Sequence, residues 1–385
     1  MKISVGIPTI AGRTKYLAAA LKTCVTQDDD DFEIIVSDNS PGDAREVVEG
    51  FRDPRIRYVR PDDYLPMSAH WDFMVSHFTG DMVTIIGDDD GLMPGALRRV
   101  RELVAQYGER PIQHALANYC WPDFPAEDRN RFWFMHPPGR ATTIRSSAAY
   151  LDDLCRAKAR YIEGPMIYHN FIPGAVLRRL AIGGSVFHRS SPDVYSAITI
   201  AAHTDSFVST QEVLTFAGQG ARANGAAVRD GGADGQRFIR EMQQARYAPR
   251  YDSLTVQLHT VDSILEASER YALPQLAQAI AFGEHFCIAA NECLDMPKRS
   301  RGLRQLGHVV REAAKAGVLP YLLRDRGGRL LQIAAGKLTG RGRNVAPRNE
   351  SDFTPGDRHP VPSDVTDIYS ATLHLHQLLA RHGMA

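Results

Sequence analysis

Cysteine is scarce and unpaired. The five residues (Cys24, Cys120, Cys155, Cys287 and Cys293) are odd in number, scattered, and form no Cys-x-x-Cys pair. That excludes a disulfide framework and a thiolate zinc site, and it reads as the reduced thiols of a cytosolic chain. Long hydrophobic runs are missing too, since no stretch approaches the ~18 uninterrupted apolar residues of a membrane span. The first residues carry no apolar h-region, so no signal peptide is expected. Charge of one sign is also absent. The 45 basic residues balance the 45 acidic ones, so net charge calls for neither an acidic partner nor a nucleic acid. The glycine-rich stretch at 214–225 lacks the Gly-Lys-Ser/Thr ending of a phosphate-binding loop, which leaves it a connector or a flexible cover. At 385 residues the chain can form one large domain or two ordinary ones.

Against those absences one short run stands out: Ile85-Ile86-Gly87-Asp88-Asp89-Asp90-Gly91-Leu92-Met93-Pro94. An apolar stretch, residues 82–86, delivers three consecutive carboxylates to its carboxyl end, and a Gly and a Pro then turn the chain into a helix near Gly95. Carboxylates packed this closely repel each other, which raises at least one pKa unless a cation is present. Mg2+ or Mn2+ relieves the repulsion and prefers oxygen ligands, often shared with substrate phosphates. An acidic turn capping the next helix explains the same residues without a metal. On the triplet alone both readings stay open.

Upstream, apolar runs alternate with helical spacing. Residues 3–7, 32–36, 56–59 and 82–86 suit buried strands, while 16–24, 44–51 and 69–77 suit helices. This predicts an α/β fold, a mostly parallel sheet with helices on both faces, whose ligand sits beyond the carboxyl ends of the strands. Pro8, Thr9, Asp38 and the triplet Asp88, Asp89 and Asp90 share that edge. Asp38 suits a charge-assisted bond to a ribose hydroxyl or pyrimidine imide, or a cap for the helix from Ala44. Arg13 suits a phosphate contact or support of its own turn.

The runs Ser4-Val5-Gly6-Ile7-Pro8-Thr9, Tyr16-Leu17, Phe32-Glu33-Ile34-Ile35-Val36-Ser37-Asp38-Asn39-Ser40 and Thr79-Gly80-Asp81, followed by the triplet and Pro94, resemble the family 2 glycosyltransferases of the GT-A fold. The resemblance implies a Rossmann-like sheet and inverting transfer from a nucleoside-diphosphate sugar, with uridine or deoxythymidine as base. The acceptor would be a hydroxyl on a glycan, a lipid-linked glycan or a small molecule. Pro8, Thr9 and Asp38 would hold base and ribose, and the acid cluster would hold Mn2+ or Mg2+ on the diphosphate. Ser68 falls where the family starts a helix near the sugar nucleotide, whereas the neighbouring Trp71 reads as core. One position departs: Gly87 stands where the family often has the first Asp of Leu-Asp-x-Asp-Asp. The ligand register therefore runs through Asp88 and Asp90, or through Asp89.

Past residue 111 the pattern loosens. Residues 115–121 suit a strand, 122–140 a polar and aromatic loop, and 148–159 a helix. Residues 186–197 resemble the family's acceptor side, where an acid before a helix is the general base. Asp193 is the implied base, with Glu163 in reserve, although an acid in a first helical turn explains Asp193 as well. His169, His188 and His203 are each open to a metal or phosphate role, or to none; His169 is kept among the metal candidates. Residues 238–247, 254–271, 273–294 and 303–316 carry helical periodicity between Pro249, Pro274, Pro297 and Pro320. The basic stretch 298–343 fits peripheral contact with an anionic membrane or, by default, a solvated helix face. Residues 344–364 read as a polar, proline-rich loop and 369–381 as a last helix.

The expected organisation is a GT-A domain over 1–230, with a nucleotide half (1–110) and an acceptor half (111–230), then a mostly helical region over 231–385. The expected location is the cytoplasm, including the inner face of the membrane. Two rival readings remain. A sugar-phosphate nucleotidylyltransferase calls for a Gly-rich signature with Arg and Lys after the first strand, which Gly6 to Arg13 do not supply. A catalytically silent sugar-nucleotide-binding or scaffold protein would keep Asp38 and lack a base.

Overall fold

The computed structural model describes residues 1–42, 44–124, 128–221, 233–242, 247–296, 298–325 and 353–384. Strands β1 (Ile3–Thr9), β2 (Phe32–Asp38), β3 (Ile56–Val59) and β4 (Met82–Ile85) alternate with helices α1 (Thr14–Val25), α2 (Arg45–Gly50) and α3 (Met67–Val75). The strands pair in parallel in the order β4-β1-β2-β3. Their continuous apolar runs follow from burial on both faces. Ile34 and Val36 point to a core shared with Leu17 and Leu21 of α1, and the intervening Ile35 points to one shared with Trp71 and Met74 of α3. The order reverses at β1, which has β2 on one side and β4 on the other. In open α/β sheets that switch point opens a crevice at the carboxyl ends. The residue-level expectation of an α/β fold holds here, with strands and helices close to the expected positions.

After the triplet come β5 (Gly91–Leu92), α4 (Ala96–Tyr107), β6 (Ile112–His114), β7 (Ala117–Cys120), β8 (Arg131–Phe134), β9 (Thr142–Ser146), α5 (Ser147–Cys155), β10 (Ile172–Pro173), α6 (Gly174–Leu180), α7 (Pro192–Ala202), β11 (Ser206–Thr210) and β12 (Thr215–Gln219). A second sheet runs β8-β7-β12-β5 and a small third one β6-β11-β9. Two expectations change here. The loop expected at 122–140 contains β8, because Phe132 and Phe134 alternate into the core while pairing with β7. The glycine-rich stretch begins as a strand, β12, which pairs with both β7 and β5; residues 222–225 lie outside the described residues.

The C-terminal part is helical: α8 (Ala233–Met242), α9 (Val256–Arg270), α10 (Pro274–Gln278), α11 (Phe282–Leu294), α12 (Arg299–Lys315) and α13 (Ile368–Arg381), with β13 (His359–Pro360) pairing β8. The single helix expected over 273–294 is broken at residues 279–281, where the Ala281 N–H donates to the Cys155 carbonyl at 2.9 Å. Asp367 caps α13 by accepting from the Ser370 N–H at 2.8 Å. Ile368, Leu375 and Leu379 of that helix join the same core as β1 and α1. Much of the basic stretch and of the proline-rich stretch, residues 326–352, lies outside the described residues. Among the described residues no helix is long and apolar enough to cross a membrane.

Candidate active site

The triplet leaves β4 at the switch point and is buried there. Asp88 turns toward β1 and α1. It accepts the Thr9 hydroxyl at 2.6 Å and the Arg13 Nε–H at 2.7 Å, with Arg13 Nη2 at 2.5 Å. Asp89 lies 3.1 Å from the same Arg13 Nη2 and accepts the Gly220 N–H at 3.1 Å. Its backbone carbonyl accepts the Trp121 indole N–H at 3.0 Å. Asp90 accepts the N–H of Gly87 at 2.5 Å, the N–H of Gly218 at 2.7 Å and the Tyr168 hydroxyl at 2.6 Å. Burial alone would lower the Arg13 pKa, but Asp88 and Asp89 more than offset it and hold the guanidinium charged. Burial pushes the Asp89 and Asp90 carboxyls up, and repulsion from the neighbouring acids adds to it. Three carboxylates against one guanidinium leave an excess of two negative charges when all are ionised.

Two backbone donors of this cluster come from β12 and the residue after it, and they require glycine. A Cβ on Gly218 would lie 1.7 Å from the Asp89 carbonyl oxygen. Only the bare backbone allows β12 to approach the triplet closely enough to donate.

The neighbouring strand ends hold the donor-side candidates. Thr9 lies opposite Asp38 in the β1–β2 register, and Pro8 opposite Ser37. Asp38 is fully buried and accepts the Ser40 hydroxyl at 2.5 Å, the Tyr58 hydroxyl at 2.8 Å and the Ala44 N–H at 3.3 Å. The Ala44 bond lies in the turn ahead of α2, whose N-cap carries no side-chain cap bond. Burial and the Asp38 charge push Tyr58 up to about 12. Ser68, at the start of α3, donates to the Arg189 carbonyl at 2.6 Å, so it ties the crevice to the segment leading into α7. His70 meets the Ser37 hydroxyl at 2.8 Å, and burial pulls it down to about 4, so it is neutral.

Asp193 follows Pro192 in the first turn of α7. Burial raises its pKa, and the Tyr161 hydroxyl donates to its carboxylate. The Tyr168 hydroxyl donates to Asp90 at 2.6 Å, and burial, then the charges of Asp90, Asp89 and Asp193, push its pKa up. Trp71 packs on the Tyr168 ring at 5.6 Å between centroids. His169, the next residue, is buried with Nε2 3.4 Å from Asp90 Oδ2.

The structure therefore brings together Thr9, Arg13, the triplet and His169, and the charge of Asp193 reaches Tyr168. It does not bring in three other candidates. Glu163 is tied to Arg160, both N–H and guanidinium; His203 Nδ1 faces the Thr199 carbonyl; His188 lies 3.8 Å from Glu266. Sequence reading missed the roles of Tyr168, Trp121, Gly218 and Gly220. The Gly-Gln-Gly spacing at the end of β12 was the one available signal, since it marks close approach of backbone.

Among the described residues no three His, Cys, Asp or Glu side chains form a ready-made metal site. The donor chemistry nonetheless fits a hard dication. Asp88 is held by Arg13 and Thr9, Asp89 by Arg13 and the Gly220 N–H, and Asp90 by the Gly87 and Gly218 N–H groups and the Tyr168 hydroxyl, in a cluster two charges short of neutral. Mg2+ and Mn2+ sites of this kind use one or two carboxylates and complete the shell with water and substrate phosphates.

Comparison with known proteins adds to this geometry. A curated relative, the GalNAc(5)-diNAcBac-PP-undecaprenol beta-1,3-glucosyltransferase of Campylobacter jejuni, is 38% identical over 100 residues, which is 25% of this chain. The chain spans about a third (32%) of that relative's length. S. aureus TarS 1-349, solved in complex with UDP-GlcNAc, is similar at 12% identity with a TM-score of 0.49, covering 94% of this chain and 99% of that one. The mannosyltransferase PcManGT from Pyrobaculum calidifontis, in complex with GDP-Man and Mn2+, gives 14% identity and a TM-score of 0.39, covering 86% of this chain and 80% of that one. Residues 4–154, which carry the switch-point crevice, Arg13 and the whole acidic triplet, match the family described as glycosyl transferase family 2.

Proposed function

We propose that this protein is a metal-dependent, inverting glycosyltransferase that takes a sugar from a uridine or deoxythymidine diphosphate sugar to a hydroxyl of a lipid-linked glycan. The observation that carries the reading is the buried acidic triplet at the switch point, beside the β1 and β2 ends that bring Thr9 opposite Asp38. Asp89 and Asp90 would close the donor end of the crevice, and Asp193, whose charge reaches Tyr168, would serve the acceptor. The family match of residues 4–154 supports sugar transfer. The curated relative's name, a glucosyltransferase on an undecaprenol-linked glycan, supports the acceptor class.

Each residue has a definable task. The β1 and β2 ends, at Thr9 and Asp38, would border the nucleoside, with Asp38 exchanging its Ser40 bond for a ribose hydroxyl or pyrimidine imide. Asp89 and Asp90 would hold Mn2+ or Mg2+, which when bound offsets charge on the departing diphosphate. Asp193 would take the acceptor's proton as the acceptor oxygen attacks the anomeric carbon and the bond to the diphosphate breaks. A carboxylate whose pKa is raised by burial is a better base than an exposed one, and such positioned bases contribute on the order of 10²–10⁴-fold.

Titration of UDP with and without Mn2+, followed by assay of sugar-nucleotide hydrolysis and of transfer to lipid-linked glycans, tests the reading. Metal-strengthened binding with turnover is the expected result. One observation favours a second reading, a silent sugar-nucleotide binder: Arg13 already supplies a cation to two of the three carboxylates. Nucleotide binding with no turnover on any acceptor would select it.

A further inference from the structure

Asp193 is carried by α7, and the segment that leads into α7 is clamped from two sides. On the inner side α3 holds it. The Asp72 carboxylate accepts the Ser185 hydroxyl at 2.5 Å, the Val186 N–H at 2.7 Å and the Phe187 N–H at 3.0 Å. The Ser68 hydroxyl then donates to the Arg189 carbonyl at 2.6 Å. Arg189 itself is left-handed, with φ 63°. That conformation costs free energy outside glycine and persists only where the surroundings over-determine it.

On the outer side the C-terminal helical region supplies the constraint. Arg189 Nη1 donates to the Ala248 carbonyl at 2.7 Å and Nη2 to Glu266 Oε2 at 2.5 Å, while Nε lies 3.6 Å from Asp262 Oδ1. Both acids belong to α9, whose Val261 and Ile264 share a core with Val194 and Ile198 of α7. One residue on, the Ser190 hydroxyl is 3.3 Å from His259 Nδ1 of the same helix. A planar fork that serves several partners at once is work for arginine and not for lysine.

Arg250 reaches the same two acids, with Nε 3.1 Å from Asp262 Oδ1 and Nη2 3.2 Å from Glu266 Oε2. The cluster therefore keeps a cation when Arg189 is replaced, and neither acid is left as an uncompensated buried charge. Holding the fold does not require the second arginine. Holding the entry to α7 does, because Arg189 is the residue at the turn itself. A base must sit within hydrogen-bond reach of the hydroxyl it deprotonates, so whatever fixes that entry also fixes the reaction distance.

We infer that Arg189 is a positioning residue for Asp193: it anchors the left-handed turn ahead of α7 to Asp262 and Glu266 of the helical region, while Ser68 ties the same turn to the donor-side helix α3. This rests on the transferase reading above, with Asp193 as the base, and gives the C-terminal helices a part in catalysis. Arg189 acts through α7 and not on substrate.

The test is a double-mutant cycle on kcat, with the donor and acceptor that turn over in the assay above. Arg189→Gln should lower kcat by about 10²-fold, the effect of a displacement of about 1 Å at the reacting groups, with UDP affinity and donor KM unchanged. In the Asp193→Asn background the same substitution should lower kcat less than about threefold, because a residue that acts through another loses its effect once the other is gone. Glu266→Gln leaves Arg189 its Ala248 bond and should repeat the pattern with a smaller displacement and about a tenfold loss. It decides the matter where Arg189→Gln fails to fold by circular dichroism. Equal losses in both backgrounds, a raised donor KM with kcat unchanged, or near-normal turnover overturns the inference and leaves the transferase reading standing. Near-normal turnover of Asp193→Asn removes the base and the inference together, while sugar transfer stands. Wild type that transfers no sugar to any lipid-linked glycan overturns the proposed function and the inference with it.

Discussion

Replacing Arg13 by methionine tests the charge balance of the crevice. Methionine keeps much of the length and can pack beside the Tyr16 ring, which lies 5.4 Å from the guanidinium carbon. What it removes is the one Lys or Arg that ion-pairs with the triplet among the described residues, at 2.5 Å from Asp88 and 3.1 Å from Asp89. Both partners are buried, and breaking a buried pair from one side costs about 3–5 kcal/mol because a charge is left without compensation. That is a large share of the ~5–15 kcal/mol that holds a domain folded. The pH dependence has a definite sign. Asp89 and Asp90 have folded pKa values above the unfolded ones. Their contribution to stability is therefore full below the ordinary carboxylate range and is lost as pH rises through the raised values. Losing Arg13 raises Asp89 further, so the penalty should be largest near pH 8 and shrink near pH 5, where Asp89 is protonated. Urea unfolding in EDTA at those two pH values measures it. Mn2+ should then recover stability at pH 8 as a ligand of the folded state. A penalty below about 1 kcal/mol at both pH values, or a larger one at pH 5, would refute the assignment of Arg13 as the structural counter-ion.

Asp193→Asn should leave UDP affinity unchanged and lower kcat by about 10²–10⁴-fold; near-normal turnover in a steady-state assay would remove it as the base. The same assay across pH should show an acidic limb above the ordinary carboxylate range, because burial raises the Asp193 pKa and only its ionised form accepts a proton. Glu163→Gln should change kcat less than about threefold, well short of the effect of a catalytic acid or base, since its carboxylate serves Arg160. Gly218→Ala should push β12 off the triplet, because the new Cβ would meet the Asp89 carbonyl oxygen at 1.7 Å. A displacement of about 1 Å at the reacting groups costs on the order of 10² in rate, so kcat should fall by about that factor, with Mn2+-dependent UDP affinity falling alongside.

The first hundred residues were readable because parallel strands buried on both faces write themselves as unbroken apolar runs, and their ligand-side ends carry Pro8, Thr9, Asp38 and the triplet in plain view. The partners of those residues were not readable. Arg13 and Asp88 are 75 positions apart, and nothing local distinguishes a guanidinium bound for phosphate from one bound for a carboxylate. Gly218 and Gly220 act through backbone N–H groups, which no side-chain pattern reports. Tyr168, next to the His169 that was among the candidates, reaches the site because residues 167–169 add to the edge of β4, a long-range pairing of fewer residues than any periodicity can register. The strand β8 was hidden in a stretch rich in polar residues, where only Phe132 and Phe134 alternate inward. The break between α10 and α11 follows from docking on Cys155, again a tertiary cause.

The departure at Gly87 finds a physical reason in the same network. A Cβ there would lie 2.9 Å from Asp90 Oδ2, 2.9 Å from the Tyr168 hydroxyl and 3.1 Å from Asp89 Oδ1. The volume that a first aspartate would need is already filled by the Tyr168–Asp90 bond. An acid at that point would also add a fourth negative charge to a cluster that Arg13 only partly offsets. Instead the backbone N–H of Gly87 donates to Asp90, turning the missing side chain into support for the last acid of the triplet. With Asp88 held by Thr9 and Arg13, the register question left by the motif narrows on geometric grounds. Asp89 shares Arg13 with Asp88 and accepts the Gly220 N–H, and Asp90 is the one that a histidine faces, at 3.4 Å.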